Sequence, residues 1–135
     1  MVEINIVYQG ELRCRATHVP SGTTLTTDAP KDNHGKGESF SPTDLVATAL
    51  GSCMLTVMGI AARNLELDLT GMTVVVSKSM VVKPMRRIGT LSVVINVPVV
   101  TDPLQKQVLI DAAMSCPVHQ SLHPEVAMPI EFHWL

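Results

Sequence analysis

Aromatic residues are nearly absent from this chain of 135 residues, which has two Phe, one Tyr and one Trp. Tyr8, Phe40, Phe132 and Trp134 are too few and too scattered to build a base-stacking platform. Charge is sparse as well, at 16% of residues, with 10 Lys and Arg against 12 Asp and Glu. A formal net charge of -2 leaves no positive excess to hold a phosphate backbone. Nucleic acid is therefore excluded as an expected partner. Cysteine is limited to Cys14, Cys53 and Cys116, an odd set without CxxC spacing that suits neither a secreted disulfide framework nor a zinc ribbon. The opening MVEINIVYQG alternates like a strand and carries Glu3, so it lacks the basic flank and apolar run of a secretory signal. A cytoplasmic protein with reduced thiols is the expectation.

What the chain does have is apolar mass, 46% of residues, enough for a sizeable core. Its length predicts one domain, 1–135, with no separate cofactor-binding domain and no cofactor. Residues 4–8 and 12–19 read as strands joined at Gly10-Glu11, and the β-branched run from Thr23 to Asp28 follows the turn Pro20-Ser21-Gly22. From Ala29 to Phe40 the chain is polar and aperiodic, a loop long enough to be functional, with Lys31 and Lys36 read as solvated.

Ser41-Pro42-Thr43-Asp44 is a helix start, with Ser41 as N-cap, Pro42 in the first turn and Asp44 at the capping-box position. Leu45 to Ala62 then runs for eighteen residues without a charge, the length at which a membrane span must be considered. Thr48, Gly51, Ser52, Thr56 and Gly59 dilute its hydrophobicity and strands surround it, so a buried core helix is expected and a membrane is not. A helix apolar on every face must be covered on every face, and in so short a chain a second copy supplies the missing cover. An obligate homodimer follows.

Two further β-branched runs, Met72–Lys83 and Ile88–Val100, form a second hairpin. Thr101-Asp102-Pro103 opens an amphipathic helix ending near Ser115, Cys116-Pro117 opens a short one stopped by Pro124, and Met128 to Trp134 closes the chain as a strand. The order β-β-β-α-β-β-α-α-β, with antiparallel sheets around a buried central helix, is an α+β fold.

Ser41-Pro42-Thr43-Asp44-Leu45 opening an apolar helix, Gly51-Ser52-Cys53 within it, and Ser115-Cys116-Pro117-Val118 heading a late helix resemble the OsmC/Ohr family of organic hydroperoxide reductases. The order of elements agrees along the whole chain. The resemblance implies an intertwined homodimer in which Cys53 is the peroxidatic and Cys116 the resolving cysteine. Its substrate would be an organic hydroperoxide and its reductant an external dithiol of lipoyl or thioredoxin type. Two thiols serve this chemistry because a Cys53 sulfenic acid must be trapped before it is overoxidised, and a second thiol traps it as a disulfide.

Residue chemistry alone assigns acidity the other way. Cys116 heads a helix, where free N–H groups favour a thiolate, whereas Cys53 lies inside an apolar helix, where burial raises a thiol's pKa. The resemblance implies that an arginine held by a glutamate activates Cys53, yet Thr43 stands at the glutamate position. Glu38 or Asp44 is the expected substitute, orienting Arg15, with Arg86 and Arg87 as other cation donors.

Phe40, Met54, Leu55 and Met58 are candidate walls of an apolar substrate pocket, although Met at that spacing is also common core filling. Cys14 faces the apolar side of its strand and reads as an inert core thiol, and His119, three residues after Cys116, either assists that thiol or is a surface residue. His119 and His123 share helical spacing but lack the HExxH glutamate, so no metal site is expected. The alternative to a peroxidase is a noncatalytic redox-sensing or small-ligand-binding module on the same scaffold.

Overall fold

The structure is a computed structural model and describes all of residues 1–135. Its contacts group into two units, Met1–Val46 and Ala47–Leu135.

The first unit is an antiparallel sheet in the order β1 (Ile4–Gly10), β2 (Arg13–His18), β3 (Thr24–Asp28). Gly10 pairs with Arg13, so the first turn holds just Glu11 and Leu12, with φ of 55 and 60. Positive φ at both central positions is the hairpin geometry that matches strand twist, and here two non-glycine residues adopt it. The 29–40 segment contains one 3-10 turn, Lys31–Asn33, and is otherwise irregular. At Gly35 an added Cβ would sit 1.7 Å from the Ala29 carbonyl oxygen, so the loop folds back this tightly only with glycine there. Ser41 then closes the expected capping box, accepting the Asp44 N–H on its hydroxyl (3.1 Å) while the Asp44 carboxylate accepts the Ser41 N–H (2.9 Å).

This unit buries only Thr27, Asp28 and Ser41, all polar. On β1 the side chains of Ile4, Ile6, Val7 and Tyr8 are all exposed, so neither face of that strand is covered by this chain.

Helix α1 (Pro42–Asn64) runs on into the second unit, where β4 (Thr73–Val81), β5 (Arg87–Val97) and β6 (Ile130–Trp134) make a sheet in that order. Helices α2 (Pro103–Met114) and α3 (Pro117–Ser121) lie between β5 and β6 in the chain. β4 and β5 are antiparallel, but β6 joins β5 in parallel, which makes this sheet mixed rather than antiparallel as expected. The cause is the connection: a helical crossover returns the chain to the same end of the sheet, as a tight hairpin does not. α2 starts on a full capping box between Asp102 and Gln105.

Alternate residues of β5, Leu91, Val93, Ile95 and Val97, are buried with Leu109 and Ala113 of α2. From α1 the buried set is Ala47, Leu50, Gly51, Met54, Met58 and Ala62, one stripe at helical spacing. Ser52, Thr56 and Ile60 remain exposed, so a single chain covers one face of α1 and not the whole helix. By length and composition α1 is long and apolar enough to cross a membrane, and one stripe of it is buried within the chain. Gly51 sets the packing distance, because a Cβ there would lie 2.9 Å from Val76 Cγ2 and 3.2 Å from Val74 Cγ1 on β4.

Candidate active site: a thiol pair

The stripe that fixes α1 over β4 also fixes Cys53. It sits between the buried Met54 and the exposed Ser52, at the edge of the covered face, and is half-buried. Cys116 stands between α2 and α3 and is fully buried. The two thiols are both free, and Cys53 is near enough to act on the titration of Cys116. Folding has thus brought a reachable thiol on one helix against a sequestered thiol at the head of another.

The acidity expected of Cys116 is reversed. Its sulfur does accept the His119 N–H, at 3.5 Å, as the N-cap of α3. Burial, followed by the neighbouring Cys53 thiol, outweighs the N–H groups of His119 and Val118 and pushes the Cys116 thiol up. The expectation failed because capping was visible in the sequence and the depth of the site was not. Cys116 is therefore a protonated thiol at neutral pH, and Cys53 is the more exposed residue of the pair.

His119 is half-buried, and its Nδ1 is inaccessible with no hydrogen-bond partner. Met54 and Met58 are fully buried, their i, i+4 spacing lying on the core stripe of α1. Leu55 is half-buried.

In the first unit the expected pairing of Arg15 with Glu38 or Asp44 is replaced by another. Arg15 is exposed and unpaired, while Arg13 reaches Asp28 Oδ2 at 3.4 Å and Glu38 Oε2 at 3.2 Å. Register is the reason, since Arg13 stands opposite Asp28 and Arg15 stands opposite Thr26, two residue pairs along the same face. Asp44 is engaged in the capping box with Ser41. Asp28, almost completely buried, also accepts the Glu38 N–H at 3.0 Å; this bond and the Arg13 charge hold its carboxyl below the usual range against the opposing effect of burial. Asp28 is the residue sequence reasoning missed, while Arg13 and Arg15 share one face of their strand and the sequence alone favours Arg15; an acid in a strand is the signal that a partner stands across the ladder.

Phe40 is exposed, and its carbonyl accepts the Asp28 N–H at 3.1 Å. Arg87 pairs with Glu125 at 3.7 Å, and Arg86 is engaged elsewhere. The Cys14 N–H donates to Thr27 Oγ1, and its thiol is half-buried. No group of three or more His, Cys, Asp or Glu side chains is placed to hold a metal ion.

An α+β chain that sets a half-buried helix cysteine against a buried cysteine before a later helix defines a class of two-thiol proteins. Residues 35–131 match the OsmC family model, described as OsmC-like protein, and the chain belongs to that family. A solved structure from Psychrobacter arcticus 273-4, named for osmotic stress induction and a detoxification response, is 43% identical. The match covers 98% of this chain and 96% of that one, with a TM-score of 0.93. The organic hydroperoxide resistance protein OhrB of Bacillus subtilis shares the fold at 17% identity and a TM-score of 0.73, over 98% of this chain and 97% of its own. An organic hydroperoxide resistance protein OsmC from Legionella pneumophila does so at 12% identity and 0.80, over 98% and 96%. No curated protein matches the chain.

Proposed function

We propose that the protein is a thiol-dependent peroxidase that reduces organic hydroperoxides. The observation that carries this reading is the nearness of a half-buried cysteine, Cys53, to a fully buried one, Cys116, on whose thiol it acts. The Cys53 thiolate attacks the O–O bond, which breaks to release an alcohol and leaves Cys53 as sulfenic acid. Cys116 then displaces the sulfenic oxygen as water and forms the Cys53–Cys116 disulfide. An external dithiol, of lipoyl or thioredoxin type, restores both thiols by exchange, so no cofactor is needed. Family membership and neighbours named for hydroperoxide resistance support the reaction class.

The working assembly in this reading is a homodimer in the cytoplasm. Exposed apolar side chains on β1 and the open face of α1 are the surfaces that a second copy would cover. Thr43, at the position where the resemblance implies a glutamate, favours the second reading, a redox-sensing or small-ligand-binding module without turnover. Steady consumption of an alkyl hydroperoxide with dithiothreitol as reductant separates the two. Multiple turnovers per protein support the peroxidase, and at most one equivalent consumed refutes it.

A further inference from the structure

Cys116 presents a chemical problem that the pair alone does not solve. Burial and the Cys53 thiol keep it protonated, yet it must become a nucleophile at the moment it attacks the oxidised Cys53 sulfur. Its proton needs an acceptor inside the protein, because the sulfur itself is closed to solvent. Among the groups acting on Cys116, the Cys53 thiol is consumed in the reaction and the Val118 and His119 N–H groups are donors only. Elsewhere in this unit Arg87 pairs with Glu125 and Asp111 with Gln107, while His123 Nδ1 accepts the Glu125 N–H.

His119 combines a backbone N–H contact with the sulfur and a ring nitrogen that no other group uses. Its N–H on Cys116 Sγ anchors the residue against the thiol, and its ring presents a buried Nδ1 with no partner. A buried imidazole nitrogen without a partner is costly, and a catalytic role is one of the few reasons to keep it. We propose that His119 is the proton-transfer residue of the thiol pair: it takes the Cys116 proton as that sulfur attacks Cys53 and returns it to the leaving group. In the peroxidase cycle, on which this inference rests, the leaving group is the sulfenic hydroxide, which departs as water while the S–S bond forms. Atoms and electrons balance within the pair, and the imidazole ends the step as it began.

The step can be isolated from peroxide chemistry. In a Cys14→Ser background, limiting aromatic disulfide reagent places a thionitrobenzoate on the more accessible Cys53, with the site checked by mass spectrometry. Cys116 then expels coloured thionitrobenzoate at a rate that reads its deprotonation directly. With His119→Ala the rate at pH 7 should fall about 10–100-fold, within the range of general-base effects, and added imidazole should restore part of it. His119→Gln, which keeps bulk without basicity, should be equally slow, and the rise of rate with pH should steepen in both variants. An unchanged rate and pH profile overturns the proposal, as does a fall that imidazole does not restore, which would mark a packing role. Loss of hydroperoxide turnover in the wild type with an intact His119 dependence here would refute the peroxidase and leave this inference standing.

Discussion

Arg13 and Asp28 face each other across the β2–β3 ladder, and the guanidinium that joins them at 3.4 Å also holds Glu38 at 3.2 Å. Asp28 is thereby the one ionised group buried in a unit that buries no apolar side chain. It ties the 29–40 loop to the sheet through the Glu38 N–H.

That arrangement sets a pH dependence. A carboxyl held below its ordinary value of about 3.9 contributes stability above that value and loses it as the pH falls through the depressed folded one. Asp28→Asn should lower the urea midpoint at pH 7, and the gap from wild type should close below about pH 4. Midpoints measured from pH 7 to 3 decide it; a gap independent of pH would refute the ionic role.

The raised acidity threshold of Cys116 predicts an order of labelling. Iodoacetamide at pH 7 should alkylate Cys53 before Cys116, whose modification should need a pH above the free-thiol value of about 8.5 or partial unfolding. Cys53→Ala removes the neighbouring thiol that helps raise Cys116, so its alkylation should begin at lower pH, though burial persists. Mass spectrometry by site reads both effects. Faster labelling of Cys116 than of Cys53 in the wild type would reverse the assignment.

Local chemistry explains which features were legible from sequence. Ser41-Pro42-Thr43-Asp44 and Asp102-Pro103 announced their helices because capping is a contact between near neighbours, and the structure forms both boxes. The β1–β2 turn was legible for the same reason. Cys53 and Cys116 came into view through resemblance, since nothing in their separation along the chain shows that they touch. What stayed hidden depended on depth and register. The acidity of Cys116 turned on burial, the core position of Met58 on which stripe of α1 meets β4, and the choice of Arg13 over Arg15 on two pairing steps. The parallel β6 was hidden too, because a crossover's direction is a property of the whole connection.

Gly51 predicts a steric penalty near the reactive thiol. Gly51→Ala gains about 1 kcal/mol in helix propensity but places a methyl 2.9 Å from Val76 Cγ2, a stiff β-branched side chain. Overpacking of this kind costs about 1–3 kcal/mol, so the net expectation is a loss of roughly 1 kcal/mol and a melting point lower by a few degrees. Calorimetry checks it, and a more stable variant would mean that α1 and β4 separate freely.

The two thiols should fail differently when removed. Cys53→Ser should abolish hydroperoxide consumption, because no sulfur remains to take the oxygen. Cys116→Ser should permit one sulfenylation of Cys53, trapped by dimedone, and then inactivate as the unresolved sulfenate climbs to sulfinic acid. Intact-mass spectra after one and ten equivalents of hydroperoxide separate these fates. Dimedone captured on Cys116 and never on Cys53 would show that the roles are exchanged.

The exposed strand β1 bears on assembly. Ile4, Ile6, Val7 and Tyr8 lie on both its faces, and Leu25 of β3 and Ile60 of α1 are exposed too. Each such aliphatic side chain gains about 1.5–3 kcal/mol when fully buried, so a chain that leaves them all in water forgoes much of its available stabilisation. If a second copy covers them, folding and association are one event, and the melting temperature should rise with protein concentration. Wild-type protein should sediment as a dimer at low micromolar concentration with no folded monomer beside it. Ile6→Lys should lower the melting temperature far more than an exposed-site change of the usual 0.5 kcal/mol. A folded monomer that melts at the same temperature across a hundredfold dilution, and tolerates Ile6→Lys, would sink the homodimer.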